Sequence, residues 1–290
     1  MQTIPLCWID GAIIPAREAR VSVYDHGLLY GDGVFEGLRF YHRKPFMLDA
    51  HLQRLAQSAE AIGLRLPFDT ARIADAIETL IEAYGTDSGY LRLVVTRGPG
   101  SLGIDPRKCS RAAMFIIADE LQLLAAKEVG AGISLHVAQT RRTPAQCLDP
   151  KIKSLNYLNN ILAKIEANRA GMDEALMLNL DGRVSEGSVD NIFIVTDGVL
   201  RTPPLGEGLL AGVTRAVIIE LATGLGIRCE ESALVVDDLH HAEECFLTGT
   251  GAELIPVQRI DDYRLPSPES PLLPLIAKAF RDRIEADCAA

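Results

Sequence analysis

Apolar side chains recur at steps of three and four residues in several stretches of the chain, a period typical of helices with one buried face. One stretch follows Asp49, which we take as an N-cap, and predicts a helix over 50–62. A second follows Asp69-Thr70 and ends at Gly85. The same reasoning predicts three later helices, over residues 155–169, 213–223 and 272–286.

Short runs of aliphatic and β-branched residues lie between the helical stretches and predict strands. Residues 91–96 and 112–118 are two such runs, and 133–138 begins a further set. Asp-Gly pairs separate extended segments at Asp10-Gly11, Asp181-Gly182 and Asp197-Gly198. Because tight hairpin turns need positive φ at their central residues, these pairs predict antiparallel hairpins.

The order of these elements predicts a mixed α+β chain with two domains. Residues 1–120 form a small α+β domain. Residues 121–132 show no clear period and contain glycines at 130 and 132, so we expect the interdomain connection there. Residues 133–290 form the larger domain.

Composition narrows the function. The chain has 290 residues, 48% of them hydrophobic, too many and too apolar for a disordered tail or a disulfide-stapled miniprotein. The net charge of −10 argues against nucleic acid and acidic membranes as partners. Six scattered cysteines without a C-x-x-C pair favour reduced thiols and predict no metal site. With no signal peptide or membrane span in the sequence, we expect a cytoplasmic protein.

Two lysines, Lys151 and Lys153, come just before the sequence Ser-Leu-Asn-Tyr. Ser154 or Asn156 can begin the next helix, which would put Lys153 at a loop or strand end with Tyr157 one turn further along the same face. A lysine in a partly desolvated site is a good imine-forming nucleophile. Most lysines are simply solvated, however, and these residues do not distinguish Lys151 from Lys153.

Four other segments can bind charged groups. Glu186, beside a buried strand, can pair with a protonated heterocycle, although an isolated carboxylate more often lies at the surface. The Gly-Val-Thr sequence at 212–214 begins a helix whose first amides can bind phosphate. The small-residue turn at 248–252 can also hold an anion. The Arg54 guanidinium can donate two hydrogen bonds to a phosphate, or it can remain in water while the aliphatic part of the side chain covers the helix.

Taken in order, these residues resemble the class IV, fold type IV pyridoxal-phosphate enzymes. This family contains branched-chain aminotransferases, D-amino-acid aminotransferases and aminodeoxychorismate lyases. Its signature, Glu-x-Ser-x-x-Asn-Ile-Phe and the apolar, Thr, Gly and Arg positions that follow, is met at Glu186, Ser188, Asn191, Ile192, Phe193, Leu200, Thr202, Leu210, Gly212, Val213 and Arg215. The resemblance runs from about Trp8 to Val257. It implies a D-amino-acid-aminotransferase-like fold, with a small N-terminal α+β domain and a larger C-terminal pseudo-barrel domain.

The resemblance also implies roles around pyridoxal 5'-phosphate. Lys153 is the lysine that bonds covalently to this cofactor, which resolves the ambiguity with Lys151. Tyr157 hydrogen-bonds the phenolic oxygen, and Glu186 keeps the pyridine nitrogen protonated. The phosphate is received by Arg54, the amides of Val213 and Thr214, and Thr250.

The run 24–39, with Phe-Glu-Gly-x-Arg near its end, resembles the branched-chain enzymes. This implies an apolar side-chain pocket formed by Phe35 and Tyr30, with Tyr30 reaching in from the neighbouring subunit of a homodimer. Arg39 and Arg92 match positions that admit the acidic side chain of glutamate. The rest of the expected substrate site consists of Tyr90, Thr250, Gly251 and Ala252.

Two details bear on the substrate. Leu93 follows Tyr90-Leu91-Arg92 at a position where bacterial branched-chain enzymes often have proline. This difference affects which side chains the substrate pocket is expected to select. No Arg-x-His carboxylate trap follows Thr96-Arg97-Gly98, which favours L-substrates. We therefore expect transamination between L-leucine, L-isoleucine or L-valine and 2-oxoglutarate by a homodimer or an oligomer of dimers. The alternatives within the family are a D-amino-acid or (R)-amine transaminase and an aminodeoxychorismate lyase.

Overall fold

The computed structural model describes residues 4–120, 132–266 and 271–289, which fall into two units. The first comprises the described parts of Met1–Gln122, Ile152–Asn156 and Ile284–Ala290. The second comprises those of Leu123–Lys151 and Tyr157–Arg283. Of the predicted interdomain connection, residues 121–131 lie outside the described residues, so the domain boundary stays a prediction.

The first unit is one antiparallel sheet with helices on one face. In the described residues six strands follow the order β2-β1-β6-β5-β3-β4. The elements are β1 (Leu6–Ile9), β2 (Ala12–Pro15), α1 (His26–Tyr30), β3 (Gly33–Tyr41), β4 (Lys44–Pro45), α2 (Leu48–Ala61), α3 (Thr70–Tyr84), β5 (Gly89–Thr96) and β6 (Ala113–Asp119). Leu55 of α2 and Ile77 of α3 pack in one core with Leu38 and Leu93 of the sheet. Because side chains alternate along a strand, Phe35, Gly37 and Arg39 of β3 share the other face.

The second unit contains a nine-stranded sheet in the described residues, in the order β12-β11-β10-β13-β14-β7-β8-β9 with β15 beside β14. β9 also contacts β10, so the end of this order returns toward its middle, which gives the predicted pseudo-barrel. The elements are β7 (Ile133–Val137), α4 (Leu158–Arg169), β8 (Glu174–Leu178), β9 (Val184–Gly187), β10 (Asn191–Thr196), β11 (Val199–Thr202), α5 (Val213–Gly224), β12 (Cys229–Glu231), α6 (Val236–His240), β13 (Glu244–Gly249), β14 (Glu253–Ile260), β15 (Tyr263–Arg264) and α7 (Leu273–Cys288), whose last turn, from Ile284, is counted with the first unit.

Local signals predicted several element boundaries correctly. Asp69 caps α3 by accepting a hydrogen bond from Arg72 N at 2.8 Å, and Gly85 ends that helix at a φ of 79°. The hairpins at Asp10-Gly11 and Asp197-Gly198 are confirmed, with positive φ at all four residues. The pair Asp181-Gly182 also lies between antiparallel strands, but in a longer turn in which only Gly182 has a positive φ.

Two predicted helix starts are wrong. α2 begins at Leu48, after Met47 in the left-handed conformation, so Asp49 lies within the first turn and is not the cap. α4 begins at Leu158, and neither Ser154 nor Asn156 starts it. The physical reason is that the chain before α4 is extended and pairs with β3, where Ser154 forms an antiparallel bridge with Val34.

In the described part of the chain, no helix is both long and apolar enough to span a bilayer.

Candidate active site

The backbone of Lys153 is held in the first unit by a β-type ladder. Its carbonyl accepts a hydrogen bond from Phe35 N at 3.0 Å, and Leu155 N donates to Gly33 O at 2.9 Å. On its other side, Lys153 N donates to the Ser58 hydroxyl of α2 at 3.1 Å. These bonds place the lysine at the edge of β3.

The Lys153 side chain extends over the face of the sheet that carries the expected substrate residues. Its Nζ lies 4.5 Å from the centre of the Phe35 ring, and the guanidinium carbon of Arg92 lies 4.6 Å from the same ring. Arg92 is also 5.6 Å from the ring centre of Tyr90. A Cβ on Gly37 would overlap the Tyr90 hydroxyl, so the bare backbone there makes room for this aromatic group. The face therefore presents a lysine amine and a guanidinium on an aromatic surface.

Lys151 lies in a different environment. It belongs to the second unit, its side chain is 53% exposed, and it forms a 3.4 Å ion pair with Asp149. Of the two lysines that the sequence left as alternatives, Lys153 is thus the one that the first unit holds beside an aromatic ring.

Arg54 is part of a buried ionic cluster in the first unit, which we call the Glu36 cluster (Glu36, His51 and Arg54). Arg54 donates through Nε and Nη2 to the two oxygens of Glu36, each at 2.7 Å, and His51 Nδ1 lies 2.8 Å from Glu36 Oε2. The guanidinium is therefore fixed by a bidentate pair and does not have its head in water.

The charges in the Glu36 cluster follow from opposing effects. Burial raises the pKa of the Glu36 carboxyl, but the hydrogen bonds and charge of Arg54, with help from His51, outweigh it and lower the pKa to about 2. Burial lowers the pKa of His51 more than the neighbouring carboxylate raises it. At neutral pH the cluster is thus a carboxylate and a guanidinium beside a neutral imidazole.

Glu186 is a buried acid of the second unit, and its carboxylate accepts hydrogen bonds from Arg142, Leu210 and Asn191. Arg142 Nε donates to Oε1 at 2.8 Å, while Leu210 N and Asn191 Nδ2 donate to Oε2 at 3.0 and 3.3 Å. Each oxygen of a carboxylate accepts about two hydrogen bonds. A protonated ring nitrogen matches a carboxylate fixed in this way.

The start of α5 is built for close approach by an anion. Gly212 is its N-cap and has no side chain to satisfy the first amides, which belong to Val213 and Thr214. A Cβ at Gly212 would overlap Asn191 Oδ1. In the second small-residue turn, before Thr250, a Cβ at Gly249 would overlap Asp190 Oδ1. Both turns leave backbone where a side chain cannot be accommodated.

The donor set fits pyridoxal phosphate within each unit. In the first, a lysine amine lies on an aromatic face and a guanidinium is oriented by a buried acid. In the second, an uncapped helix start matches a phosphate, and a fixed carboxylate matches the pyridine nitrogen. Cationic and amide donors for the phosphate, and an acid for the ring, are the groups that this cofactor requires.

The structure distributes the predicted residues between the two units. Lys153, Arg54, Tyr30, Phe35, Arg39, Tyr90 and Arg92 belong to the first, and Tyr157, Glu186, Val213, Thr214, Thr250, Gly251 and Ala252 belong to the second. The guanidinium carbon of Arg39 lies 4.9 Å from the ring centre of Tyr41. Tyr30 is 36% exposed, and its hydroxyl accepts a hydrogen bond from Gly103 N at 2.9 Å.

Sequence reasoning assigned no role to Glu36 and His51 in the first unit, or to Arg142 and Asn191 in the second. Among these residues, only Glu36 could have been found from the sequence. It is an acid on the face of a strand whose other positions are apolar and face the core. A buried acid of that kind requires a cationic partner.

Comparison with known proteins agrees with these features. Residues 33–260 match the family model for amino-transferase class IV. A putative branched-chain-amino-acid aminotransferase of Methanocaldococcus jannaschii is 46% identical over 254 residues, which cover 88% of this chain and 87% of that protein.

Two solved structures show the same fold. The branched-chain aminotransferase from Thermoproteus uzoniensis, solved with norvaline, superposes with a TM-score of 0.90 at 36% identity, covering 97% of this chain and 95% of that one. The T.th. branched-chain amino acid aminotransferase complexed with N-(5'-phosphopyridoxyl)-L-glutamate gives 0.89 at 34% identity, covering 99% and 95%. The chain therefore belongs to the class IV aminotransferases, enzymes that transfer amino groups with pyridoxal 5'-phosphate.

Proposed function

We propose that this enzyme transfers the amino group between the branched-chain L-amino acids leucine, isoleucine and valine and 2-oxoglutarate. The observation that carries the proposal is the Phe35 ring, which lies within 4.6 Å of both the Lys153 amine and the Arg92 guanidinium carbon. An aromatic surface suits an aliphatic side chain, and a guanidinium suits the carboxylate of glutamate. Both kinds of substrate would then use one face of the first unit.

Lys153 is assigned the covalent role in this proposal. When bound, pyridoxal phosphate supplies an aldehyde carbon and an electron-withdrawing ring. Lys153 would hold the cofactor covalently through Nζ, and after the substrate amine has taken its place the same nitrogen would move the proton from the substrate Cα to the carbon that had been the aldehyde. The ladder to β3 keeps the Lys153 backbone in place while its side chain changes partners.

The remaining site residues bind and orient the cofactor. Glu186 is assigned to the pyridine nitrogen because three donors already hold its carboxylate in one orientation. Tyr157, at the N-cap of α4, is assigned to the phenolic oxygen. The phosphate is assigned to Arg54, to the amides of Val213 and Thr214, and to Thr250.

The substrate is assigned to a second set of residues. Phe35 and Tyr30 contact an apolar side chain, and Arg92 and Arg39 the acidic one. Tyr90 and the turn formed by Thr250, Gly251 and Ala252 are assigned to the rest of the substrate. Norvaline and the glutamate conjugate, which are the ligands of the two related structures, are an aliphatic and an acidic amino acid respectively.

The exposed face of α4 supports a homodimer. Four apolar side chains recur along it at the spacing of one helical stripe, although the protein places them outward: Leu158 is 67% exposed, Ile161 51%, Leu162 45% and Ile165 36%. The opposite face buries Asn160, Ala163 and Ala167. An outward apolar stripe is the reverse of the pattern of an ordinary surface helix, and a second copy of the chain would cover it.

A second exposed apolar patch lies around Tyr30. Leu28, Leu102 and Ile104 are 65%, 63% and 84% exposed. The two segments that carry them are joined by the hydrogen bonds from Gly103 N to the Tyr30 hydroxyl and from Gly100 N to Tyr24 O. This patch supports the proposal that Tyr30 serves the active site of the neighbouring subunit.

We also propose a cytoplasmic location, since all six cysteines are free thiols in the structure, as a reducing compartment would leave them.

The direct test of the lysine assignment compares two neighbouring variants. Lys153→Ala is expected to abolish both the visible absorbance of the bound cofactor and turnover. Lys151→Ala, which removes an exposed lysine two residues away, is expected to keep both. Absorbance retained in Lys153→Ala, or lost in Lys151→Ala, would refute the assignment.

The substrate pair is tested with single amino acids of each enantiomer and 2-oxoglutarate as acceptor. Glutamate formation from L-leucine, L-isoleucine and L-valine is expected. In Arg92→Leu, we expect kcat/KM for L-glutamate to fall at least about tenfold more than that for L-leucine, because only glutamate carries a side-chain carboxylate. Turnover confined to D-amino acids, or pyruvate release without an acceptor, would overturn the substrate assignment and leave the enzyme class intact.

A further inference from the structure

Asn191 closes a ring of three hydrogen bonds in the second unit. Its Nδ2 donates to Leu210 O at 3.0 Å and to Glu186 Oε2 at 3.3 Å. Leu210 N donates to the same Glu186 oxygen at 3.0 Å. The side chain is buried, at 4% exposure, so these bonds are shielded from water. The carboxylate, the amide and the loop that leads into α5 are therefore joined in one hydrogen-bonded unit.

The other end of the Asn191 amide lies against the N-cap of α5. A Cβ at Gly212 would overlap Asn191 Oδ1, so the chain can pass this close only as glycine. Gly212 directly precedes the amides of Val213 and Thr214. One side chain thus contacts the acid at one end and the helix start at the other. The close contact between Asn191 Oδ1 and the backbone of residue 212 explains why residue 212 is glycine.

We propose that Asn191 is a positioning residue that couples the ring-binding carboxylate of Glu186 to the phosphate-binding start of α5. The inference rests on the proposed function, which assigns these two groups to the two ends of the cofactor. Phosphate bound at the start of α5 fixes the positions of Gly212 and Leu210. Through Asn191, this also fixes the position of the Glu186 carboxylate that binds the ring. By reciprocity, binding of the ring strengthens binding of phosphate.

The experiment separates the two ends of the cofactor into two probes. Full-length enzyme freed of cofactor is titrated with pyridoxal, which lacks the phosphate, with and without saturating inorganic phosphate. The absorbance of the Lys153 adduct gives the dissociation constant of pyridoxal, and calorimetry gives that of phosphate. In the unmodified enzyme we expect phosphate to tighten pyridoxal binding by about tenfold, within the usual range for coupled sites.

Three variants test the coupling. Asn191→Ala is expected to reduce the tenfold effect to less than about twofold. Gly212→Ala is expected to weaken pyridoxal binding even without phosphate, although residue 212 lies at the phosphate end. Thr202→Val is the control: it removes another buried hydrogen bond, from the Thr202 hydroxyl to Ile192 O at 2.8 Å, and should leave the coupling at its full value.

Three outcomes overturn the proposal. They are coupling that persists in Asn191→Ala, coupling that falls equally in Thr202→Val, and an unmodified enzyme in which phosphate does not tighten pyridoxal binding. If Asn191→Ala does not fold, unchanged pyridoxal binding in Gly212→Ala overturns it instead. Failure of the underlying site assignment looks different: pyridoxal would give the same absorbance in Lys153→Ala, or Glu186→Gln would bind pyridoxal as tightly as the unmodified enzyme.

Discussion

The Glu36 cluster makes a stability prediction that can be worked out from the structure. Glu36→Gln keeps the shape of the side chain and removes its charge. Arg54 then loses the anionic partner of its Nε and Nη2 donors while remaining buried. Breaking one side of a buried ion pair leaves an uncompensated charge, which is far costlier than losing an exposed pair.

The magnitude follows from the acid itself. The pKa of Glu36 falls from its ordinary value of 4.5 to about 2. A lowering of the pKa by this amount corresponds to roughly 3 kcal/mol of stabilisation of the ionised form in the folded protein. The cost of breaking a buried pair, about 3–5 kcal/mol, is similar. Because the pKa is lower in the folded state, this stabilisation is complete above pH 4.5 and disappears as the pH falls toward 2.

The assay uses the single tryptophan of the chain. Trp8 is buried in the first unit, edge-on to Phe68 at 5.8 Å, so its fluorescence in urea reports the unfolding of that unit. The free energy of unfolding of Glu36→Gln should be about 3 kcal/mol lower than that of the unmodified protein near pH 7. The difference should narrow to about 1 kcal/mol near pH 3. Glu60→Gln, an exposed acid on the same helix as Arg54, should change it by less than about 0.5 kcal/mol. A small gap near pH 7, or one that does not narrow with acid, would refute the reasoning.

Three further predictions concern other parts of the molecule. Arg97→Lys should cost about 2 kcal/mol in the same urea assay, because the guanidinium bridges Asp32 and two carbonyls, whereas the exposed Arg111→Lys should cost almost nothing. Mass spectrometry after iodoacetamide treatment of the native protein should find the exposed Cys147 alkylated and Cys245 untouched, because burial raises the pKa of the Cys245 thiol and shields it. Ile161→Glu on α4 should halve the mass measured by sedimentation; an unchanged mass would contradict the proposed interface.

Features specified by neighbouring residues could be predicted from the sequence. Asp69 caps α3 with its own side chain, and Gly85 ends the same helix because its φ is positive. The hairpin at Asp10-Gly11 needs only two adjacent residues with positive φ. Such signals lie within a few positions of the structure they specify, so no knowledge of the fold is required.

Features specified by distant residues could not be predicted. Ser154 is a good helix cap by type, but the strand that pairs with it runs through Val34, far away in the sequence, and that pairing keeps the chain extended. Glu36 and Arg54 are 18 positions apart, and Arg142 and Glu186 are 44 apart. Propensity contains no information about such partners, because the fold alone brings them together. Only the resemblance to a family selected Lys153 over Lys151.

The pairing of Lys153–Leu155 with Gly33–Phe35 has a consequence for dissecting the enzyme. A fragment ending near residue 120 would lack this stretch, and Phe35 N and Gly33 O would lose the partners that now satisfy them. Unpaired strand edges recruit other strands, so we expect such a fragment to self-associate. Supplying residues 152–156 as a separate peptide should suppress that aggregation, and the same peptide would deliver Lys153 in trans.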